Sequence, residues 1–309
     1  MRNHIAPCVF LVLLGACATS RQSGPELTLE VGGHTRRYLV HAPPGLESGG
    51  PHPAVLVLHG GGGAGGIEDL GRYTGMDAKA DASGFIAVYP AALYDNWNDG
   101  RNADILREQK EGIDDVAFFR ALLDRLVADH HVDPRRIYAT GISNGGFMSH
   151  RLGCELSDRI VAIAPVAAGM AQPLSLTCAP ARGVPVLNFH GTHDGFVPFE
   201  GGNVTAPYTR QNRGPTLSSD GTRDVWARAN GCGSGVTRSN VTPDARDGTT
   251  VEKVTVDGCP AAAPVIQMVI HGGGHTWPGA RWVPYLGPVT KDINAADAIW
   301  EFFRDRRLP

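Results

Sequence analysis

Strong positive charge is missing from this chain. Its 28 Lys and Arg are outnumbered by 31 Asp and Glu, a formal charge of −3 over 309 residues. That leaves no basic face for nucleic acid, which is not an expected partner. Long apolar runs are missing too: the run near the start, Val9 to Leu14, is too short to span a bilayer. No CxxC pair and no His-bearing spacing points to a zinc site. The glycine-rich stretch Gly60 to Gly66 lacks the Lys-Ser/Thr pair that a nucleotide loop needs. No internal repeat and no linker splits the body. What remains, with 42% hydrophobic and 19% charged residues, is an ordinary globule long enough for one large α/β domain. No metal or organic cofactor is called for.

Glycine and proline are plentiful, at 40 and 22 residues, and point to long, shaped loops. The first residues stand apart from the fold. Arg2 and His4 precede the apolar run, and Gly15, Ala16 and Cys17 follow it. This is the pattern of a secretory signal. Leu14-Gly15-Ala16-Cys17 also resembles a bacterial lipobox, in which Cys17 becomes the lipidated first residue. The expected organisation is a signal peptide over residues 1–16, a small polar tether over 17–25 and one α/β domain over 26–309. The protein is then exported, and either anchored to the cell envelope through Cys17 or secreted.

Cysteine usage agrees with export. Cys8 and Cys17 fall in the signal region; Cys154, Cys178, Cys232 and Cys259 lie in the body. Four cysteines allow three pairings. Sequence proximity favours Cys154–Cys178 and Cys232–Cys259.

The body reads as strands alternating with helices. Residues 27–31 and 35–41 alternate as a hairpin turned at Gly32-Gly33. Residues 54–59 form a near-continuous apolar run, the mark of a strand buried on both faces of a parallel sheet. A helix is expected over about 73–83, then strand 85–89 and a helix over 114–129. Strands at 136–140, 160–166, 184–190 and 265–270 follow, with a short helix over 222–229 and a closing helix over 295–304. Residues 201–221 read as a long loop. The pattern predicts a single-domain, doubly wound, mostly parallel α/β sheet.

The chemistry starts at Gly141-Ile142-Ser143-Asn144-Gly145, between a strand and a helix. Glycines on either side of a serine let strand and helix pack closely around a sharp turn, which lifts the hydroxyl out of the sheet. A serine nucleophile needs a base within reach, and the base needs an orienting carboxylate. In α/β-hydrolases these follow in the order Ser, Asp or Glu, His. Asp194 comes just after a buried strand, in His190-Gly191-Thr192-His193-Asp194-Gly195. His275 comes just past the last strong strand, in His271-Gly272-Gly273-Gly274-His275-Thr276-Trp277-Pro278-Gly279. Both are loops at strand carboxyl ends, where such sheets bind ligands. His271 at the strand end reads as a packed or capping residue, and His193 as a loop residue. Asp158 and Asp220 do not directly follow buried strands. His190, His193 and Asp194 fit no standard metal spacing. The oxyanion amides are expected from Asn144 and from the His59-Gly60-Gly61-Gly62-Gly63 loop, at Gly61 or Gly62. Trp97 and Trp277, on loops near the same face, are candidates to wall a substrate pocket, or simply to pack beneath their loops.

With these residues in view, the chain resembles the polyhydroxybutyrate depolymerase and feruloyl/acetylxylan esterase group, in particular its small lipoprotein-type, LpqC-like members. The resemblance rests on His59 to Gly63, Trp97-Asn98-Asp99-Gly100-Arg101, Gly141 to Met148, Val186 to Asp194 and Gly272 to Gly279, and covers almost all of the mature chain. It implies a secreted α/β-hydrolase carboxylesterase with Ser143, Asp194 and His275 in the triad positions, and cystines like those proposed. The group's appended polymer- or carbohydrate-binding module and Thr-rich linker are not found here, which favours soluble esters or oligomers over solid polyester. An exopeptidase of the same fold and a non-catalytic glycan-binding surface lipoprotein are the alternatives. The acyl group and the oligomeric state are not legible.

Overall fold

The computed structural model describes residues 25–46, 50–63, 66–206, 209–241 and 246–309. The signal segment with Cys8, the Cys17 lipidation site and nearly all of the tether lie outside the described residues. The chain opens with β1 (Glu26–Val31), β2 (His34–His41) and β3 (His52–Leu58), then α1 (Ile67–Thr74), α2 (Met76–Ser83) and β4 (Ile86–Pro90). Next come α3 (Arg107–Lys110), α4 (Asp115–Asp129), β5 (Val132–Ile142), α5 (Asn144–Glu155), β6 (Ile163–Val166), α6 (Gln172–Ser175) and β7 (Val186–Gly191). The last part holds β8 (Gly202–Thr205), β9 (Asn212–Thr216), α7 (Ser219–Ala229), β10 (Val236–Asn240), β11 (Thr250–Val256), β12 (Val265–His271) and α8 (Ala295–Phe303).

Ten strands make one sheet in the order β1-β2-β4-β3-β5-β6-β7-β12-β11-β10. Its centre, from β4 to β12, is parallel, and the two flanks are antiparallel. The alternation of side chains along β3 shows why the run at 54–58 had to be apolar throughout. Ala54, Leu56 and Leu58 enter one core layer with Phe118, Phe119 and Leu122 of α4 and Phe147 of α5. Val55 and Val57 enter the opposite layer with Met76 and Ala80 of α2 and Ile299 and Phe303 of α8. A strand covered on both faces cannot alternate with polar residues. Each such side chain contributes about 1.5–3 kcal/mol on burial. Trp300 and Phe303 of α8 stack on Phe85 and Tyr138, with ring centroids 4.4 and 4.7 Å apart.

Two disulfides, Cys154–Cys178 and Cys232–Cys259, close loops of 24 and 27 residues, as sequence proximity suggested. Other expectations need correction. The single helix over 73–83 is two helices, because Gly75 takes a left-handed conformation (φ 75°) that ends α1 and starts α2. The loop over 201–221 contains the β8/β9 hairpin and the first turn of α7, which Ser218 caps by accepting a hydrogen bond from the Gly221 amide. The strands β10 and β11 extend the sheet beyond β12. Among the described residues, no helix is long and apolar enough to cross a membrane.

Candidate active site

Ser143 stands between β5 and α5 with φ 58° and ψ −121°, a conformation rarely taken by a residue with a side chain. The turn is held by its own amide, which donates to Val166 O at 2.9 Å, and by its carbonyl, which accepts from Phe147 N at 2.9 Å. The flanking glycines are a steric requirement. A Cβ on Gly141 would sit 2.7 Å from the Gly145 carbonyl, and one on Gly145 would sit 2.6 Å from His59 O. Gly146 is under the same constraint, since its Cβ would fall 2.7 Å from that of Ala168.

Asp194 follows β7 and His275 follows β12, adjacent parallel strands, so the two loops meet. His275 Nδ1 lies 2.8 Å from Asp194 Oδ2. The other carboxylate oxygen, Oδ1, accepts from the amides of Phe196 and Val197, both at 2.8 Å. Asp194 is buried, which by itself would raise its pKa; the nearby imidazoles of His275 and His190 outweigh burial and hold the carboxyl well below the usual carboxylate range. It is therefore ionised, and its bond fixes the proton of His275 on Nδ1. The phenyl ring of Phe196 stacks on the His275 ring at 4.7 Å.

The competing side chains fall elsewhere. His193 is exposed. His271 is half-exposed, 3.7 Å from Glu252. Asp158 pairs with Arg120 and Asp220 with Arg223 on the surface. His190 is fully buried behind Asp194, with Nε2 3.0 Å from Val197 O. Among the described residues, no group of three or more His, Cys, Asp or Glu converges as a metal site would require.

Ser143 and His275 line one cavity of about 390 Å³, with Gly60, Gly61 and Asn144 on its wall. As the first residue of α5, Asn144 has an amide with no partner inside the helix. Of the two glycines expected to supply a second amide, Gly62 is corrected: its N–H is spent on Asp95 O at 2.8 Å and it does not line the cavity. Gly61 does line it, and a Cβ there would collide with Asn96 Oδ1 at 2.5 Å. His59 anchors the loop. Its Nε2 accepts from Ala92 N at 3.0 Å, so Nδ1 carries the proton and donates to Gly60 O at 2.7 Å. Burial pushes the His59 pKa down to about 4, which keeps the ring neutral.

The expectation that Trp97 and Trp277 wall the pocket is also corrected. Both are fully buried and neither lines the cavity. Trp97 donates from Nε1 to His59 O at 3.1 Å and packs on His59 and Phe119. It thereby supports the glycine loop from beneath. Its own backbone is tied to Asn144, whose Oδ1 accepts from Trp97 N at 2.7 Å. Asn144 Nδ2 in turn donates to the buried carboxylate of Asp99, which pairs with Arg101 at 2.7 Å. The Trp97-to-Arg101 motif thus holds both halves of the oxyanion wall in register. The aromatic side chains that line the cavity are others: Tyr73, Phe196 and Tyr285, the last 60% exposed.

No protein-family model matches the chain. The esterase NocK of Nocardia uniformis subsp. tsuyamanensis is 34% identical over 284 residues, 88% of this chain and 80% of that protein. Feruloyl esterase B of Piromyces equi is 31% identical over 247 residues, 78% of this chain and 42% of that protein. Among solved structures, acetyl xylan esterase from Aspergillus awamori aligns with a TM-score of 0.60 at 15% identity, covering 91% of this chain and 99% of that one. At that identity the likeness shows the fold, that of α/β-hydrolase esterases.

Proposed function

We propose, since the chain belongs to the α/β-hydrolase esterase family of the feruloyl esterases and NocK, that it hydrolyses carboxylic esters through an acyl-enzyme on Ser143. The observation that carries this reading is the strained Ser143 turn opening on the same cavity as an Asp194-held His275. His275 takes the proton of the Ser143 hydroxyl as Oγ attacks the ester carbonyl. The amides of Asn144 and Gly61 receive the charge that develops on the carbonyl oxygen. Such donors are worth about 3 kcal/mol each in the transition state. Collapse expels the alcohol with the proton held on His275. Water, deprotonated by the same histidine, then releases the acid. Asp194 remains an anion throughout.

Feruloyl or acetyl esters of plant polysaccharide are the leading substrates, and hydroxybutyrate-type oligomers follow. The names of the relatives support the first group, and the exposed Tyr285 on the cavity wall offers a face for a phenolic or sugar ring. Disulfides in the body support an exported enzyme, and the lipobox-like Cys17 supports a lipid anchor. The test compares methyl ferulate, an acetylated xylan oligosaccharide and a hydroxybutyrate oligomer with residues 18–309, alongside Ser143→Ala. Hydrolysis abolished in the variant, with Ser143 labelled by a fluorophosphonate in the wild type, is the expected result. Equal rates in both proteins, or an unlabelled Ser143, refute the mechanism; the latter result favours a binding protein.

A further inference from the structure

The wall of the catalytic cavity is one-sided in charge. Arg101, Arg213 and Arg281 line it, and among the described residues no aspartate or glutamate does. Arg101 is neutralised by Asp99. Arg213 is not: among the described residues it forms no ion pair, and its Nε is closed to solvent without a hydrogen-bond partner. A buried donor left without an acceptor is costly, and the guanidinium that carries it lines the cavity. Arg213 sits on β9, in the hairpin that the sequence did not reveal, and reaches across to the oxyanion loop. Its Nη1 is 3.7 Å from where a Cβ on Gly61 would be. Two acidic groups share its neighbourhood without forming an ion pair with it, although Glu108 keeps Oε2 buried and unpartnered. Glu108 and Asp95 share the adjoining surface depression with Arg213. Glu108 turns Oε1 to the amides of Asp95 and Asn96, at 2.6 Å each, and the Asp95 side chain is exposed. Arg281 stands exposed at the mouth and adds a second positive charge.

We propose that this cavity selects esters carrying a free carboxylate elsewhere in their acid or alcohol moiety, with the Arg213 guanidinium as its partner and Arg281 drawing it in. The proposal rests on the esterase reading above and names the substrate class of that same site. A guanidinium receives a carboxylate through two parallel N–H donors, which fixes the ester's orientation as well as adding affinity. The carboxylate belongs to a dicarboxylic acyl group or to a hydroxy-acid alcohol, and both sources are tested.

The experiment measures kcat/KM for two pairs at low salt and pH 7. Monoethyl adipate against ethyl adipamate places the charge on the acyl side; 3-acetoxybenzoate against 3-acetoxybenzamide places it on the alcohol side. In wild type, the acid of one pair is expected to be preferred about tenfold, chiefly through KM. The ratio falls towards one in Arg213→Gln, recovers in part in Arg213→Lys, and declines in 0.5 M salt, where the screening length has shrunk from about 30 Å in 0.01 M buffer to about 4 Å. Arg281→Gln, on an exposed residue, is expected to lower it less, and keeps the test alive if the Arg213 variants do not fold. Adipate, but not adipamide, is expected to protect Ser143 from a fluorophosphonate in wild type and not in Arg213→Gln. Ratios near one in both pairs, with Ser143-dependent hydrolysis intact, or no protection by adipate, overturn the anion preference and leave the esterase standing. No hydrolysis of any of the four together with an unlabelled Ser143 overturns the esterase reading and the proposal with it.

Discussion

Replacing Ser143 by glycine should make the protein more stable than replacing it by alanine, although both changes remove the hydroxyl of the proposed nucleophile. The reason is the backbone at φ 58°, ψ −121°. A residue with a Cβ held there costs about 1–3 kcal/mol, and glycine relieves most of it. Against this, glycine loosens the unfolded chain relative to alanine by about 0.4–1 kcal/mol. The difference leaves Ser143→Gly about 1 kcal/mol more stable than Ser143→Ala. Both variants lack the hydroxyl, so its loss cancels. For a domain of this length, about 2 cal/mol/K of unfolding entropy per residue converts the difference to about 2 °C in Tm. Calorimetry of the two variants at one scan rate, with the wild type beside them, is the assay. A Ser143→Gly protein that melts at or below Ser143→Ala would show that the turn stores no strain, and that the nucleophile is presented without tension.

Stability should fall steeply on acidification. His59 and His150 are buried neutral, with pKa values pushed down to about 4 and about 3 from an ordinary 6.5. The unfolded chain binds their protons first, so stability is lost as pH falls below 6.5, by about 2 kcal/mol per histidine at pH 5; urea titrations at pH 7 and 5 that give the same midpoint would contradict this. Asp194→Asn should lower kcat by about 10³–10⁴-fold, because the amide no longer fixes the His275 proton on Nδ1; a loss below tenfold in an ester assay argues against the role. Asn144→Ala should cost about 10²-fold in kcat by untying the Trp97 backbone from the helix start, which single-turnover kinetics can read. Removing Cys154 and Cys178 together should destabilise by about 3 kcal/mol, the loop-closure value for 24 residues, measured by urea unfolding.

The parts of the fold that were legible in the sequence are those whose side chains must be apolar on two faces. The strands around Leu56, Tyr138 and Leu187 announce themselves because helices cover them above and below. The flank was silent: β10 presents Thr237, Arg238, Ser239 and Asn240 to water, and β9 contains Gly214 and Pro215, so neither carries a strand's hydrophobic signal. Ser143, Asp194 and His275 were legible for a different reason. Chemistry restricts them to few residue types at strand ends, in a fixed order. The two tryptophans were open to both readings because an aromatic on a loop can serve as a prop as readily as a wall, and only burial separates the two. Arg213 had no sequence signal, since its place beside Gly61 depends on a hairpin folding back over the sheet.

The tie running from Asn144 through Trp97 and Asp99 to Arg101 anchors the reaction centre to the buried sheet. The mouth is made of other material: the β8/β9 hairpin and the segment from Arg281 to Leu286. On the proposed mechanism, bond-breaking and choice of ester are therefore modular. A hairpin transplanted from a relative could carry a new preference into this scaffold while the machinery underneath continues unaltered, and random changes confined to the mouth would be the efficient library for redirecting the enzyme.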